Sequence, residues 1–199
     1  MKLKELYEAK ERSVLTVMGQ QPEKVDGHFY CSNKQLTSLE GVPREVSGDF
    51  KCFNNQLVDL KGGPEIVDGD FYCYNNQLTS LKGGPEKVGG SFQSANNKLT
   101  SLKGVPKEIG LDANFYDNKL TNLKDIHKQI KSISGYADFE NNPVKSHVVG
   151  LLLIDNLINV ELDEQQVEDI INKHLKADRD VLACIEELED AGFPEFAKI

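Results

Sequence analysis

Cysteine offers the first chemistry to test. Cys31, Cys52 and Cys73 recur at intervals of 21 residues, and Cys184 stands apart near the C-terminus. Thiolates at a fixed interval could hold a metal or cycle through a disulfide. A zinc site would need a CxxC pair or histidines at matched spacing. Neither is present, since His28, His127, His147 and His174 share no ligand spacing with one another or with the thiols. The alternative is that each thiol fills the same inward slot of a repeating unit, as a small apolar side chain. Cys184 lies in Ala-Cys-Ile-Glu-Glu on an apolar helical stripe and reads as core. The Gly-x-Pro segments are turns that recur in successive copies, not a phosphate-binding loop. With no nucleophile–base pair either, the expectation is a non-enzymatic chain without metal or cofactor.

The interval that positions the thiols belongs to a repeat that runs through most of the chain. Five copies follow one another without a gap, at 27–47, 48–68, 69–89, 90–110 and 111–131. Leu15, Met18, Pro22 and Val25 form a degraded half-copy before them, and SGYADFENNPV (134–144) follows after a three-residue insertion. The copies share an alternating stretch such as Phe71-Tyr72-Cys73, then Asn, Leu-x-x-Leu, Gly-x-Pro (replaced by Asp125-Ile126-His127 in the fifth) and a β-branched residue. Alternation predicts a short strand with one buried face. A single copy cannot bury its apolar set, whereas stacked copies cover one another. Six strands then form one curved parallel sheet, with Phe29, Phe50, Phe71 and Phe92 stacked inward. Phe115 and Phe139 take the slot that cysteine holds earlier, while Ala113 and Ala137 take that of Phe. Asn55, Asn76, Asn97, Asn118 and Asn142 are placed to pair with buried backbone groups where the chain leaves each strand. Lys34 interrupts that series in the first copy.

The pattern Phe-x-Cys-x-x-Asn-x-Leu-x-x-Leu resembles the leucine-rich-repeat consensus, with Phe and Cys replacing two leucines. The short period and the second-half proline are similar to the compact bacterial type, whose convex side is extended. The wording Asn-Asn-Gln-Leu-Thr-Ser-Leu-x-Gly-Gly-Pro resembles repeat proteins of tailed bacteriophages. The resemblance covers about residues 14–144 and implies an α/β leucine-rich-repeat solenoid used as a protein-binding scaffold. Some bacterial relatives of that kind carry a C-terminal ubiquitin-ligase domain with a nucleophilic cysteine. Here the region after the repeats is about 56 residues, too small for it.

Side chains between the inward ones face the concave side. Its centre reads Tyr30, Lys51, Tyr72, Gln93, Asn114 and Asp138. One flank reads His28, Asp49, Asp70, Ser91, Asp112 and Tyr136; the other reads Ser32, Phe53, Tyr74, Ala95, Tyr116 and Glu140. Exposed aromatics among carboxylates are typical of interfaces. The alternative is that they shield each other along the sheet as same-face neighbours. The candidate partner-binding set is Tyr30, Asp49, Lys51, Phe53, Asp70, Tyr72, Tyr74, Gln93, Asp112, Asn114, Tyr116 and Tyr136.

The ends need caps. Leu3, Leu6, Tyr7 and Lys10 have helical spacing, so a short N-terminal capping helix is expected over 1–13. Residues 145–199 are expected to form an acidic helical domain. It comprises a buried helix within 144–157, a second opened by a capping box of Asp163 and Gln166, and a third opened by Asp178. The third is expected to turn Val181, Leu182, Ile185 and Leu188 inward and to end at Gly192. Its outer face carries Glu186, Glu187, Glu189 and Asp190, a secondary acidic patch.

Net charge is −9, of which residues 144–199 supply −8. Nucleic acid would be repelled by that end and barely attracted by the rest. The segment 1–13 is charged throughout and the longest apolar run, 148–154, is too short for a bilayer, so a cytoplasmic protein without a membrane anchor is expected. These readings lead to a protein-binding module whose partner is a folded protein of a bacterial host, in the manner of a phage-encoded inhibitor of antiviral defence. A phage structural or assembly protein and a bacterial adaptor or effector are the alternatives.

Overall fold

A computed structural model describes residues 12–199. Most of the expected N-terminal capping helix, residues 1–11, lies outside the described residues. The described chain opens with a short helix α1 (Val14–Met18), whose first turn is capped by the Ser13 hydroxyl accepting from Thr16 N–H. A solenoid of stacked coils follows.

Each coil carries two strands of two or three residues separated by a corner. One series comprises β1 (Lys24–Val25), β3 (Glu45–Val46), β5 (Ile66–Val67), β7 (Lys87–Val88), β9 (Glu108–Ile109) and β11 (Ser132–Ile133). The other comprises β2 (Phe29–Tyr30), β4 (Phe50–Lys51), β6 (Phe71–Tyr72), β8 (Phe92–Gln93), β10 (Ala113–Asn114) and β12 (Tyr136–Asp138). Each series pairs in parallel with in-register partners, so the walls are a six-stranded outer sheet and an inner sheet that β13 (Asn159–Glu161) extends to seven strands. The outer sheet is a correction to the expectation of one sheet. Its β-branched residues Val46, Val67, Val88, Ile109 and Ile133 are buried to the same depth, with Val25 of the first strand half-buried. Equal depth brings successive backbones into pairing range, and the isolated alternation of one copy could not reveal that.

The core lies between the sheets. Rings of Phe29, Phe50, Phe71 and Phe92 stack with centroids 5.7, 5.2 and 5.5 Å apart. The stack then steps sideways from Phe92 to Phe115 (6.1 Å) and continues to Phe139 (5.1 Å). The expected exchange of bulk between neighbouring slots is therefore one unbroken ring column. Cys31, Cys52 and Cys73 are buried beside it as free thiols.

Asparagine supports the turn out of each inner strand. The Asn97 amide donates to the carbonyls of Cys73 and Ser94, and its oxygen accepts from Leu78 N–H, all at 3.0–3.1 Å. Asn55, Asn76, Asn118 and Asn142 repeat this pattern. The residue before it (Asn54, Asn75, Asn96, Asp117 or Asn141) is left-handed, with φ of 50–55°. Asn and Asp tolerate that conformation better than other side chains, which accounts for the Asn-Asn doublet. On the far side of the coil, Gly83 has φ +88°, and a Cβ there would lie 2.5 Å from Lys61 Cα. Coils can stack this closely only on glycine.

Strand stacking continues past residue 144. The expected buried helix is a single 3-10 segment (Val149–Leu153), after which β13 (Asn159–Glu161) pairs with β12 and adds a strand to the inner sheet. Val148, Val149, Gly150, Leu151 and Leu152 are buried and Leu153 is exposed, so the run packs on all but one side and has no polar face to shape a longer amphipathic helix. One short helix, α2 (Ile126–Gln129), replaces a turn in the coil before it.

Two helices close the end, α3 (Gln165–Lys176) and α4 (Val181–Asp190). Val167, Ile170, Ile171 and Leu175 of α3 face inward as expected. The capping box is absent, because Glu164 is the N-cap and makes no side-chain cap bond. The Asp163 carboxylate instead accepts from Asn141 N–H, back in the preceding coil. Asp180 rather than Asp178 caps α4, accepting from the N–H groups of Leu182 and Ala183. Leu182, expected to face inward, is 71% exposed, because the buried stripe of α4 runs through Val181, Cys184, Ile185 and Leu188 at helical spacing and Leu182 falls beside it. Gly192 ends the helix at φ +91°, as expected.

α3 also terminates the inner sheet. In earlier coils the N–H and C=O of the inward strand residue pair with the next coil. For Val160 both are taken by one side chain, since Asn172 accepts from Val160 N–H and donates to its carbonyl, each at 2.8 Å. One turn earlier on the helix, Glu168 accepts from Leu162 N–H. Side chains four residues apart share a helix face, so this pair mimics a missing strand and blunts an edge that would otherwise invite pairing.

Candidate functional site

The outward face of the inner sheet gathers most of the candidate residues, held by strand register. Tyr30, Lys51, Tyr72, Gln93, Asn114 and Asp138 lie side by side on successive strands. Glu161 extends the row on β13.

The half of this face near β2–β6 is a contact cluster. Lys51 Nζ sits 5.3 Å from the Tyr30 ring centroid and 4.9 Å from that of Tyr72, and pairs with Asp49 at 3.1 Å. Tyr72 donates its hydroxyl proton to Asp70 at 2.7 Å. That bond, burial and the nearby negative charge push the Tyr72 hydroxyl up to about 12. Phe53 and Tyr74 stack nearly parallel with centroids 4.6 Å apart, and Tyr72 meets Tyr74 edge-on at 6.3 Å. Seven candidates, Tyr30, Asp49, Lys51, Phe53, Asp70, Tyr72 and Tyr74, thus form one ordered group. Only Tyr30 among its rings is largely exposed, at 55%.

The flanking aspartates have a second task that sequence reasoning missed. Asp49 accepts from Asp70 N–H, Asp70 from Ser91 N–H and Asp112 from Tyr136 N–H, at 2.7–3.0 Å. Each carboxylate thereby satisfies the corner of the next coil. Burial opposes the charge on Asp49, but the Asp70 N–H and the Lys51 ammonium prevail and hold it below the usual carboxylate range. The readable signal was the recurrence of Asp at the residue before the strand, at the same interval as the structural asparagines.

The other half of the face is different. Gln93, Asp112, Asn114 and Tyr136 line a shallow depression of about 250 Å³ together with Ala113, Asp138 and Glu161. Tyr116 lies beside it, its N–H donating to Asn114. Carboxylate oxygens of Asp138, Glu140 and Glu161 all lie within 4.8 Å of one another, a donor set of the hard-oxygen kind. Burial first, then the charges around them, raise Asp138 and Glu161 above the usual carboxylate range. Glu161 was invisible to repeat counting because 23 residues, not 21, separate it from Asp138.

The secondary acidic patch is reduced by pairing. Glu187 contacts Lys173 at 2.7 Å and the buried His174 at 2.8 Å, and these bonds lower its pKa. It fastens α4 to α3, leaving Glu186, Glu189 and Asp190 on the exposed surface.

The thiols are placed against chemistry. Burial pushes Cys31 up to about 12 and Cys184 to about 11, and raises Cys52 and Cys73 as well. A reactive or metal-binding cysteine needs the opposite, a stabilised and accessible thiolate. Among the described residues no helix is long and apolar enough to cross a membrane. No protein-family model, curated protein or solved structure matches the chain.

Proposed function

We propose that this chain is a leucine-rich-repeat solenoid of the tailed-bacteriophage type that binds a folded protein through the outward face of its inner sheet. The observation that carries the reading is the group of Tyr30, Lys51, Tyr72, Tyr74 and Phe53, whose rings and charges are ordered before any partner arrives. Side chains fixed in this way lose little freedom on association, so more of the contact energy remains as affinity. Tyrosines flanked by charged groups are also the residue types in which binding energy concentrates. The chain acts without catalysis, and in a phage setting its partner is a host protein, such as a component of antiviral defence, inhibited by being covered. The burial of every thiol supports a role without covalent chemistry.

The test is capture from host lysate by the chain and by its Tyr72→Ala/Tyr74→Ala variant, followed by titration with the purified partner. Loss of the two rings is expected to weaken binding about 30-fold, roughly 2 kcal/mol, with little change in thermal stability. Equal affinity of both proteins would remove the inner face from the reading. Recovery of the chain as a stoichiometric component of purified phage particles would replace inhibition by a structural role.

A further inference from the structure

We infer that the partner of the inner face presents a basic segment, seated over Asp138, Glu140 and Glu161, and places its apolar groups over Phe53, Tyr72 and Tyr74. This rests on the inner face being the binding surface, and adds the partner's chemistry and its direction along the solenoid. The first ground is charge. Asp138 and Glu161 are direct register partners on β12 and β13, so two carboxylates face the same side of adjacent strands. Like charges at such positions repel. Among the described residues, none of Asp138, Glu140 and Glu161 has a cation within ion-pair distance.

The outer sheet shows that this is not the general condition of the molecule. There Lys24 pairs with Glu45, Arg44 with Glu65 and Glu23, Lys87 with Glu108 and Lys107 with Glu86, each across neighbouring coils. A repeat that neutralises one wall coil by coil leaves the end of the other wall uncompensated. The second ground is shape. The depression bounded by Asp138, Glu161, Asn114 and Tyr136, of about 250 Å³, has room for a long side chain whose guanidinium would reach the carboxylates. The third is polarity along the sheet. At the far end Lys51 is already held by Asp49 and two rings, so that end offers aromatic surface and little free charge. Three strand spacings separate β12 from β6, on the order of 14 Å. A partner patch with a cationic and an apolar half at that separation matches both ends.

The test uses two synthetic peptides of equal length, one with arginines in one half and aromatic residues in the other, its counterpart with glutamates for the arginines. The isotope-labelled full chain is titrated with each and followed by amide resonances. The arginine peptide is expected to shift Asp138, Glu140 and Glu161 together with residues 72–74, and the glutamate peptide to leave the carboxylates unmoved. Asp138→Asn/Glu161→Gln is expected to lower affinity for the arginine peptide about tenfold, with a matching loss of salt dependence. The same spectra report whether this variant is folded. If both peptides bind alike over 53–74, the basic segment is refuted while the inner-face reading survives. If the arginine peptide maps to Glu186, Glu189 and Asp190, both are refuted. Calcium bound at the three carboxylates tightly enough to exclude the peptide would make them a cation site and overturn the inference, as would no binding.

Discussion

The two sheets of this solenoid are built from the same repeat, with the same parallel pairing, and present opposite surfaces. On the outer sheet, the acids Glu23, Glu45, Glu65, Glu86 and Glu108 each meet a lysine or arginine of a neighbouring coil in solvent, with the exposed Ile66 interrupting the charged row. On the inner sheet, rings stack, carboxylates are used to hold backbone corners, and a cluster of unpaired acids collects at one end. A surface that closes on itself in salt bridges has little left to offer a partner. The inner surface keeps its aromatic area and its uncompensated charge. The two walls thus differ in what they leave unpaired, and under the function proposed above the inner wall is the one that meets a partner.

That contrast can be broken or sharpened by substitution. Removing the amide under the inner sheet has the largest expected effect. Asn97→Ala leaves buried groups of Cys73, Ser94 and Leu78 without a partner and should cost about 3 kcal/mol of stability, measured by urea unfolding. A loss under 1 kcal/mol would mean that water enters the turn and that the asparagines do not hold the inner wall.

Next comes the edge. Asn172→Ala leaves the Val160 N–H without its partner and its C=O with the Asn159 amide alone, and should cost about 2 kcal/mol. It should also promote self-association through β13, read by light scattering. A variant that is less stable yet strictly unchanged in association would show that the rest of α3 still covers the edge. Cys52→Ala trims a buried side chain beside the ring column and should cost about 1 kcal/mol, with zinc content zero before and after. Stoichiometric zinc in the unsubstituted protein would return the cysteines to chemistry.

The smallest effect is expected on the outer wall. Lys87→Ala/Glu108→Ala removes a solvent-exposed pair 3.0 Å apart and should change stability by less than about 0.5 kcal/mol, without affecting partner binding. A large loss of binding there would reverse the assignment of the two walls.

Much of this was legible in the sequence. The period, the inward phenylalanines, the sideways step to Phe115, the packing cysteines and the buried asparagines all follow from residues that recur at one interval. In a solenoid each coil meets only its neighbours, so position within the repeat nearly dictates environment. Tertiary structure alone decided the rest. The second sheet depends on equal depth across coils, the added strand β13 on a coil with no repeat wording, and the sheet's termination on a helix that brings Asn172 and Glu168 to a strand. The exposure of Leu182 and the loss of Glu187 to Lys173 and His174 likewise depend on how α4 docks. The acid cluster joins Asp138 to a residue 23 positions later, outside the period. Local spacing encodes contacts that repeat, whereas a contact made once, where the solenoid stops, has no copy elsewhere in the chain from which it could be read.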